Sequence, residues 1–465
     1  MGQPYPSQQP KERRIRNFSE VSLGYSKSVS LAESRRCPQC AQPTCHNGCP
    51  LGVDIPGFIR QLREGDAAGA FNRIKEKNIL PGVCGRICLA PCEAACVFQD
   101  ENNSIGIRAL ERMAADNGRA KAAQKTRKEA ERNGIKVAVI GAGPSGLSAA
   151  SELAKKGYDV TIFEAFPKAG GALRYGVPEF RLPVRVLDAE INDVLSLGIT
   201  LHTNMVIGQS ITYEDLLGEY QAVLLTLGAL TPRFDVIPGE HFTGVFYAQE
   251  LMMKINLWEA QKYPKATISP MLGENVVVIG SNYAAIDCAR VAIRLGKKAS
   301  IVYPGLDEEF KVYESDKKDA VDEGVKLETL VNPVEILSDD QKKVKGLRCE
   351  RLDFAEDANG RWDIQAVPGS QFILDADTVI LSGSPRVNDR ITQYLPGLQW
   401  SQEERIWVDP LTGQTSVDRI FAAGNVITGA GSLVDAIASG RNAAFLMDKT
   451  LRGNPSNENK SVTVS

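Results

Sequence analysis

Residues 136–147 read KVAVIGAGPSGL, and the fold follows from this stretch. Val137 to Ile140 are apolar without alternation, as a strand buried on both faces requires. Gly141, Gly143 and Gly146 follow at G-x-G-x-x-G spacing, with Pro144 and Ser145 inside the turn, and a helical pattern runs on through Lys156. A second apolar run, Val160 to Phe163, ends at Glu164, the acidic position expected to hold a ribose hydroxyl. Strand, glycine turn, helix and strand make a βαβ unit. Its glycines permit a tight turn and a close approach of backbone to a pyrophosphate, whose charge rests at the helix N-terminus.

A second start of the same kind lies at residues 275–304, NVVVIGSNYAAIDCARVAIRLGKKASIVYP, so the chain carries two related dinucleotide folds. In the other direction the composition changes. Residues from Ile55 to Leu80 repeat apolar positions at helical spacing, which predicts a small helical domain. Residues 1 to about 35 are polar and aperiodic, and the basic run Lys11 to Arg16 reads as a solvated arm. The stretch Ile105 to Lys136, rich in Ala, Arg, Lys and Glu, reads as a solvated connecting helix.

Eight of the ten cysteines fall between Cys37 and Cys96, which points to metal. No apolar signal core opens the chain and no stretch approaches a membrane span, so a cytoplasmic protein is expected and a disulfide framework is disfavoured. Pro6 stands where an acylation signal would need Ser or Thr. With 54 Lys and Arg against 57 Asp and Glu, no field draws nucleic acid or an anionic membrane.

The first cysteine group is Cys37-x-x-Cys40-x4-Cys45-x3-Cys49-Pro50, and the second is Cys84, Cys88, Cys92 and Cys96. Twelve residues of straight helix span about 18 Å, too far for one compact cluster to bridge, so Pro91 must bend the second segment. In two-cluster ferredoxins the last Cys before Pro serves the other cluster, which sends Cys49 to the second group and leaves Cys37, Cys40 and Cys45 one ligand short. Zinc is the main rival for such thiols, and eight together favour two 4Fe-4S clusters.

This spacing, the CGRIC segment at 84–88 and the IGIRALERMAAD segment at 105–116 resemble the glutamate synthase small-subunit family over nearly the whole chain. The resemblance implies an N-terminal α-helical two-cluster iron-sulfur domain followed by two Rossmann-like dinucleotide-binding domains, the FAD/NAD(P) two-domain oxidoreductase fold of the α/β class. It implies Glu111 as the missing ligand beside Cys37, Cys40 and Cys45, with Cys49, Cys88, Cys92 and Cys96 on the other cluster and Cys84 unligated. FAD is expected at the first fold, on Gly141, Gly143, Pro144, Ser145, Gly146, Glu164, Gly171, Arg174, Tyr175, Arg181, Gly228, Gly424 and Asn425. The family's usual residue at Asn425 is Asp, so one negative charge is lost and the flavin potential is expected to rise.

The second fold departs from the family. Gly280, Ser281 and Asn282 stand where a nicotinamide dinucleotide would bind, but Asn282 replaces a glycine, Tyr303-Pro304-Gly305 replaces an arginine pair, and Ser384 replaces another glycine. The two readings are an NAD(P)H site of altered specificity and a nucleotide-blind relay; a purely structural subunit is a third, disfavoured by the intact first fingerprint. No C-x4-C dithiol follows the first helix, and Cys288 reads as a packing residue. His46, His202 and His241 are scattered, and no residue is assigned a catalytic role. The expected domains are 1–134, then 135–248 with 385–452 for FAD, an inserted NAD(P)-type domain at 249–384, and a disordered tail at 453–465. The expected partner is a redox protein: ferredoxin-like, a flavoprotein, or a catalytic large subunit.

Overall fold

The computed structural model describes residues 2–99, 103–122, 130–234, 237–257, 259, 272–310, 312–356 and 362–453. Apart from Gly453, the expected disordered tail lies outside them.

The glycine turn does what its sequence predicts. The strand Lys136–Ile140 is central in a five-stranded parallel sheet, flanked by Asp159–Phe163 and Ala222–Leu225, with Thr200–His202 and Ile420–Ala422 at the edges. The helix Pro144–Lys155 leaves the turn, and a Cβ on Gly146 would lie 2.0 Å from the Gly141 carbonyl, so only glycine lets helix and strand pack this closely. The C-terminal helix Leu433–Arg452 packs against Pro144–Lys155 through Gly440, where a Cβ would meet the Ser145 carbonyl at 2.1 Å.

The second fold is a parallel sheet in the order Lys326–Thr329, Lys298–Tyr303, Asn275–Ile279, Thr378–Leu381, Val245–Tyr247. Val245–Tyr247, placed by sequence at the end of the first fold, hydrogen-bonds into this second sheet, so the crossover falls before it and not at residue 249. An antiparallel sheet of Val331–Ser338, Val344–Glu356, Trp362–Ala366 and Phe372–Leu374 is appended to it.

Two expectations at the N-terminus are corrected. The basic run is solvated only in part: Lys11, Arg13 and Arg16 are exposed, as expected, but Arg14 and the residues that follow the run are anchored. Phe18 and Val21 are buried in the core of the second dinucleotide fold, and Arg14, 4% exposed, pairs with Glu323 at 3.1 Å and Asp319 at 3.6 Å. A local pattern search misses this because the carboxylates that accept Arg14 lie some 300 residues away. The helix Ile107–Ala122 is likewise no solvated connector: Leu110 and Ala114 are fully buried, and it packs on the helices Ala67–Lys75 and Pro81–Ile87. Arg112 is buried and pairs with Glu20 at 2.9 Å, whereas Asp116 and Lys121 are exposed.

One continuous core joins the helical module to the first dinucleotide fold, running from Phe58, Leu80 and Val83 to Leu187, Ile191, Val139 and Leu153. The second fold has its own core.

Candidate functional site: two cysteine cages and a glycine cradle

Seven of the eight cysteines, with Glu111, fall into two sets, though not the two that the resemblance implies; Cys84 belongs to neither. Cys37, Cys40, Cys45 and Cys96 line one cavity, closed by Ile55, Ile59 and Ile105. Burial pushes the Cys45 thiol up to about 11, with Cys37, Cys96 and Cys40 adding to it. The second set is Cys49, Cys88, Cys92 and Glu111. Burial pushes Cys88 up to about 12, helped by Glu111 and Cys49, and Cys92 is raised by burial and by the negative groups of Glu93, Cys88, Cys49 and Glu111. Glu111 thus sits with Cys49, Cys88 and Cys92, while Cys96 crosses to Cys37, Cys40 and Cys45. The reason is chain geometry. The short helix Pro91–Ala94, entered through Ala90 in the left-handed region, carries Cys96 past its end toward the first loop. Glu111 stands on the opposing helix, which packs on Pro81–Ile87 just before Cys88.

Among the described residues no three His, Cys, Asp or Glu groups converge on a single-ion position. Cys37, Cys40, Cys45 and Cys96 border a common cavity. The donor chemistry fits iron-sulfur clusters: crowded thiols and a carboxylate in an apolar enclosure resist ionisation until a cationic iron core binds them. Cys49 is aimed at the backbone N–H groups of Leu51, Gly52 and Val53, and Cys88 Sγ accepts the Ala90 N–H at 3.3 Å, both of which favour a thiolate. Glu111 is pushed up to about 8 by burial, against a bond from Asn78 Nδ2 at 2.8 Å. Asn78 was not picked out by sequence. It fixes the Glu111 carboxylate while its own Oδ1 accepts the Leu80 N–H at 2.9 Å. Cys84, on the same helix as Cys88's approach, is 1% exposed beside Glu111 and Cys88.

In the first dinucleotide fold, the polar atoms around the turn sort into engaged and unengaged ones. Glu164, 5% exposed, braces the turn: its carboxylate accepts the Ala142 N–H at 2.8 Å and the Phe166 N–H at 2.9 Å. Ser145 Oγ and Asn425 Oδ1 are buried without a partner among the described residues, one at the start of the Pro144–Lys155 helix and the other just after Gly424. Buried polar atoms left unpaired cost about 1–3 kcal/mol each, so a ligand with hydroxyl and phosphate groups fits here. Gly143 faces open space, its nearest Cβ neighbour being Gly171 Cα at 4.0 Å, and Gly228 has none within 4 Å. These features fit FAD.

Arg174, Tyr175 and Arg181 are engaged by the chain itself. Arg174 bonds the Ala169 carbonyl and Asp188, Tyr175 Oη bonds the Lys168 backbone, and Arg181 pairs with Asp287 of the second fold at 2.8 Å while stacking on Tyr283.

Gly143 has φ −77°, a value any residue adopts, so Gly143→Val is expected to fold and yet fill the phosphate space. FAD retention should fall at least about tenfold with little change in apoprotein melting, checked by flavin absorbance after gel filtration.

At the second turn, Asn282 closes the site on itself. Its Oδ1 accepts the Ala285 N–H at 3.1 Å and the Ser382 hydroxyl at 2.6 Å, and its Nδ2 donates to the Ser382 carbonyl at 3.0 Å. Tyr283 donates its hydroxyl to Asp316 at 2.8 Å. After the strand Lys298–Tyr303, the described residues offer Asp307, Glu308 and Glu309, with Glu309 folded back to the Leu306 N–H at 2.9 Å. Cys288 is fully buried.

Residues 14–123 match the family model described as dihydropyrimidine dehydrogenase domain II, 4Fe-4S cluster, and residues 135–440 match pyridine nucleotide-disulphide oxidoreductase. The chain is 34% identical to the NADP(+)-dependent formate dehydrogenase subunit beta of Moorella thermoacetica, over 88% of this chain and 60% of that one. It is 30% identical to the glutamate synthase [NADPH] small chain of Escherichia coli strain K12, over 94% of this chain and 95% of that one. In fold it is similar to Mycobacterium tuberculosis FprA in complex with NADPH, at TM-score 0.55 and 19% identity, covering 71% of this chain and 87% of that one.

Proposed function

Because the chain belongs to the glutamate synthase small-chain family of pyridine nucleotide-disulphide oxidoreductases, we propose that its two cysteine cages and its glycine cradle form one electron route. It is an FAD- and iron-sulfur-dependent NAD(P)H oxidoreductase subunit. When bound, FAD exchanges electrons with a nicotinamide as a hydride and with 4Fe-4S clusters singly.

The observation that carries the route is the shared core between the helical module and the flavin fold. In this reading Cys49, Cys88, Cys92 and Glu111 hold the cluster on the flavin side, since the helix preceding Cys88 packs directly on the flavin fold. Cys37, Cys40, Cys45 and Cys96 hold the second, and Cys40 and Cys45 are only partly buried, on the side where a partner can approach. Gly141, Gly143 and Gly146 bring backbone to the pyrophosphate, Glu164 stiffens that turn, and Ser145 and Asn425 supply the unpaired polar atoms that orient the cofactor. No side chain is asked to move a proton.

Several relatives are named as small or beta subunits, which supports a partner subunit. We assign that partner to the redox class: ferredoxin-like, a flavoprotein or a catalytic large subunit. No helix among the described residues is long and apolar enough to cross a membrane. The reduced thiols that both cages need suit a cytoplasmic setting.

The second dinucleotide fold takes the nicotinamide in this reading, on Gly280, Ser281 and Asn282, without the 2'-phosphate selectivity that an arginine pair gives. NADPH is expected to bleach the flavin no faster than NADH at equal concentration, read by anaerobic stopped-flow absorbance. A clear NADPH preference would defeat this assignment. The self-closed Asn282–Ser382 turn favours a second reading, a nucleotide-blind relay. That reading stands if neither nucleotide bleaches a flavin that dithionite reduces.

A further inference from the structure

A carboxyl group crosses the core shared by the helical module and the flavin fold, pushed up to about 7 by burial, against the pull of Lys75 and of its two backbone N–H bonds. Glu190, on the flavin-fold helix Val184–Leu195, is 1% exposed. Its Oε1 accepts the Gly82 N–H at 2.6 Å and its Oε2 accepts the Val83 N–H at 3.0 Å. Both oxygens therefore clasp the first turn of the helix Pro81–Ile87, whose unpaired N–H groups and positive dipole end suit a carboxylate. The same helix carries Cys84 and ends at Cys88. The approach is close: a Cβ on Gly82 would stand 3.1 Å from the Glu190 carboxylate. Nearby, Asp193 of the flavin-fold helix pairs with Lys75 and Arg119 of the module, but Asp193 is partly exposed and touches neither cysteine-bearing segment.

We infer that Glu190 is the positioning residue for electron passage between the flavin and the Cys49–Cys88–Cys92–Glu111 cluster, holding the ligand-bearing helix and setting that cluster's potential by its charge. The inference rests on the proposed function. A negative charge in a poorly screened interior opposes the arrival of an electron nearby. Glu190 holds one end of the helix whose other end is capped by the ligand Cys88, so it stands on that cluster's side of the shared core. In the step itself, reduced flavin loses one electron and a ferric iron of the cluster becomes ferrous, with no bond made or broken at Glu190.

The test uses the full chain reconstituted anaerobically with FAD and both clusters. Glu190→Gln is expected to raise the midpoint potential of the Glu111-side cluster and leave the other unchanged, in an EPR-monitored redox titration. Glu190→Asp, which keeps the charge, should restore the wild-type midpoint. Glu190→Ala is expected to slow electron passage from photoreduced flavin to that cluster about tenfold, equivalent to ~1.4 kcal/mol of barrier, and to speed amide exchange at Gly82 and Val83. Should the alanine variant lose its clusters, the glutamine midpoint decides. Unchanged midpoints and rates in variants with full iron and flavin overturn the inference, as does a lowered melting temperature with nothing else altered. A wild-type chain lacking iron or flavin would instead defeat the functional reading beneath it.

Discussion

Replacing Cys96 with alanine is expected to cut iron from about eight to about four atoms per chain while FAD and one cluster remain. Cys96 is 6% exposed and lines the cavity of Cys37, Cys40 and Cys45, so its loss leaves that cage with three thiols. The cluster that survives is the one beside Glu111. The complementary change, Glu111→Ala, removes a carboxylate from the set of Cys49, Cys88 and Cys92 and frees Asn78, and it should affect only that cluster. Anaerobic iron and sulfide analysis with EPR of each variant separates the two. If both substitutions eliminate the same EPR signal, the division of ligands drawn from the fold is wrong.

Glu323→Ala is expected to cost about 3–5 kcal/mol of stability, the usual penalty for breaking a buried ion pair from one side. Its side chain is fully buried and accepts from Arg290 at 2.7 and 2.9 Å, from Arg294 at 2.6 and 3.0 Å, and pairs with Arg14 at 3.1 Å. Removing it leaves three guanidinium groups without their shared carboxylate, with Asp319 pairing Arg14 and Arg290 only at 3.6 and 3.9 Å, and two of the three pressed on the Phe180 ring. The loss should appear in denaturant unfolding, and limited proteolysis should show the N-terminal arm released from the second fold.

The same cluster sets a pH dependence. Burial alone would raise Glu323, but bonds and charge from Arg290 and Arg294 hold it down at about 2, below an ordinary 4.5. A carboxyl depressed in the folded state contributes stability that is complete above the unfolded value and lost as pH falls toward the folded one. The contribution, roughly 3 kcal/mol, should therefore vanish between about pH 4.5 and 2. Acid unfolding of Glu323→Gln should lack this component.

Why some of this was legible from sequence and some was not can be seen at particular residues. Gly141, Gly143 and Gly146 sit within six positions of one another, and the strand before them and helix after them are local consequences of apolar runs and turn chemistry. The second fold's start and the absence of its arginine pair are local in the same way. The anchoring of the arm is not legible there, because Phe18, Val21 and Arg14 show their meaning only when the second fold, hundreds of residues later, supplies an apolar core and carboxylates. Asn78 and Glu190 gave no signal, since an Asn between a Lys and an Ile and a Glu on an amphipathic helix look like any others.

The amino-acid sequence by itself determined the parts: two strand-turn-helix units and eight clustered thiols that point to metal, with the carboxylate Glu111 implied only by the family resemblance. Tertiary structure alone decided their assembly: which cysteine shares a cage with which, that Glu111 joins Cys49 and not Cys37, and that the arm anchors in the second fold. The physical reason is range. Backbone propensity and turn geometry act over a few residues, whereas ligand sets and buried ion pairs depend on which helix faces meet, and those meetings are fixed only when the whole core closes.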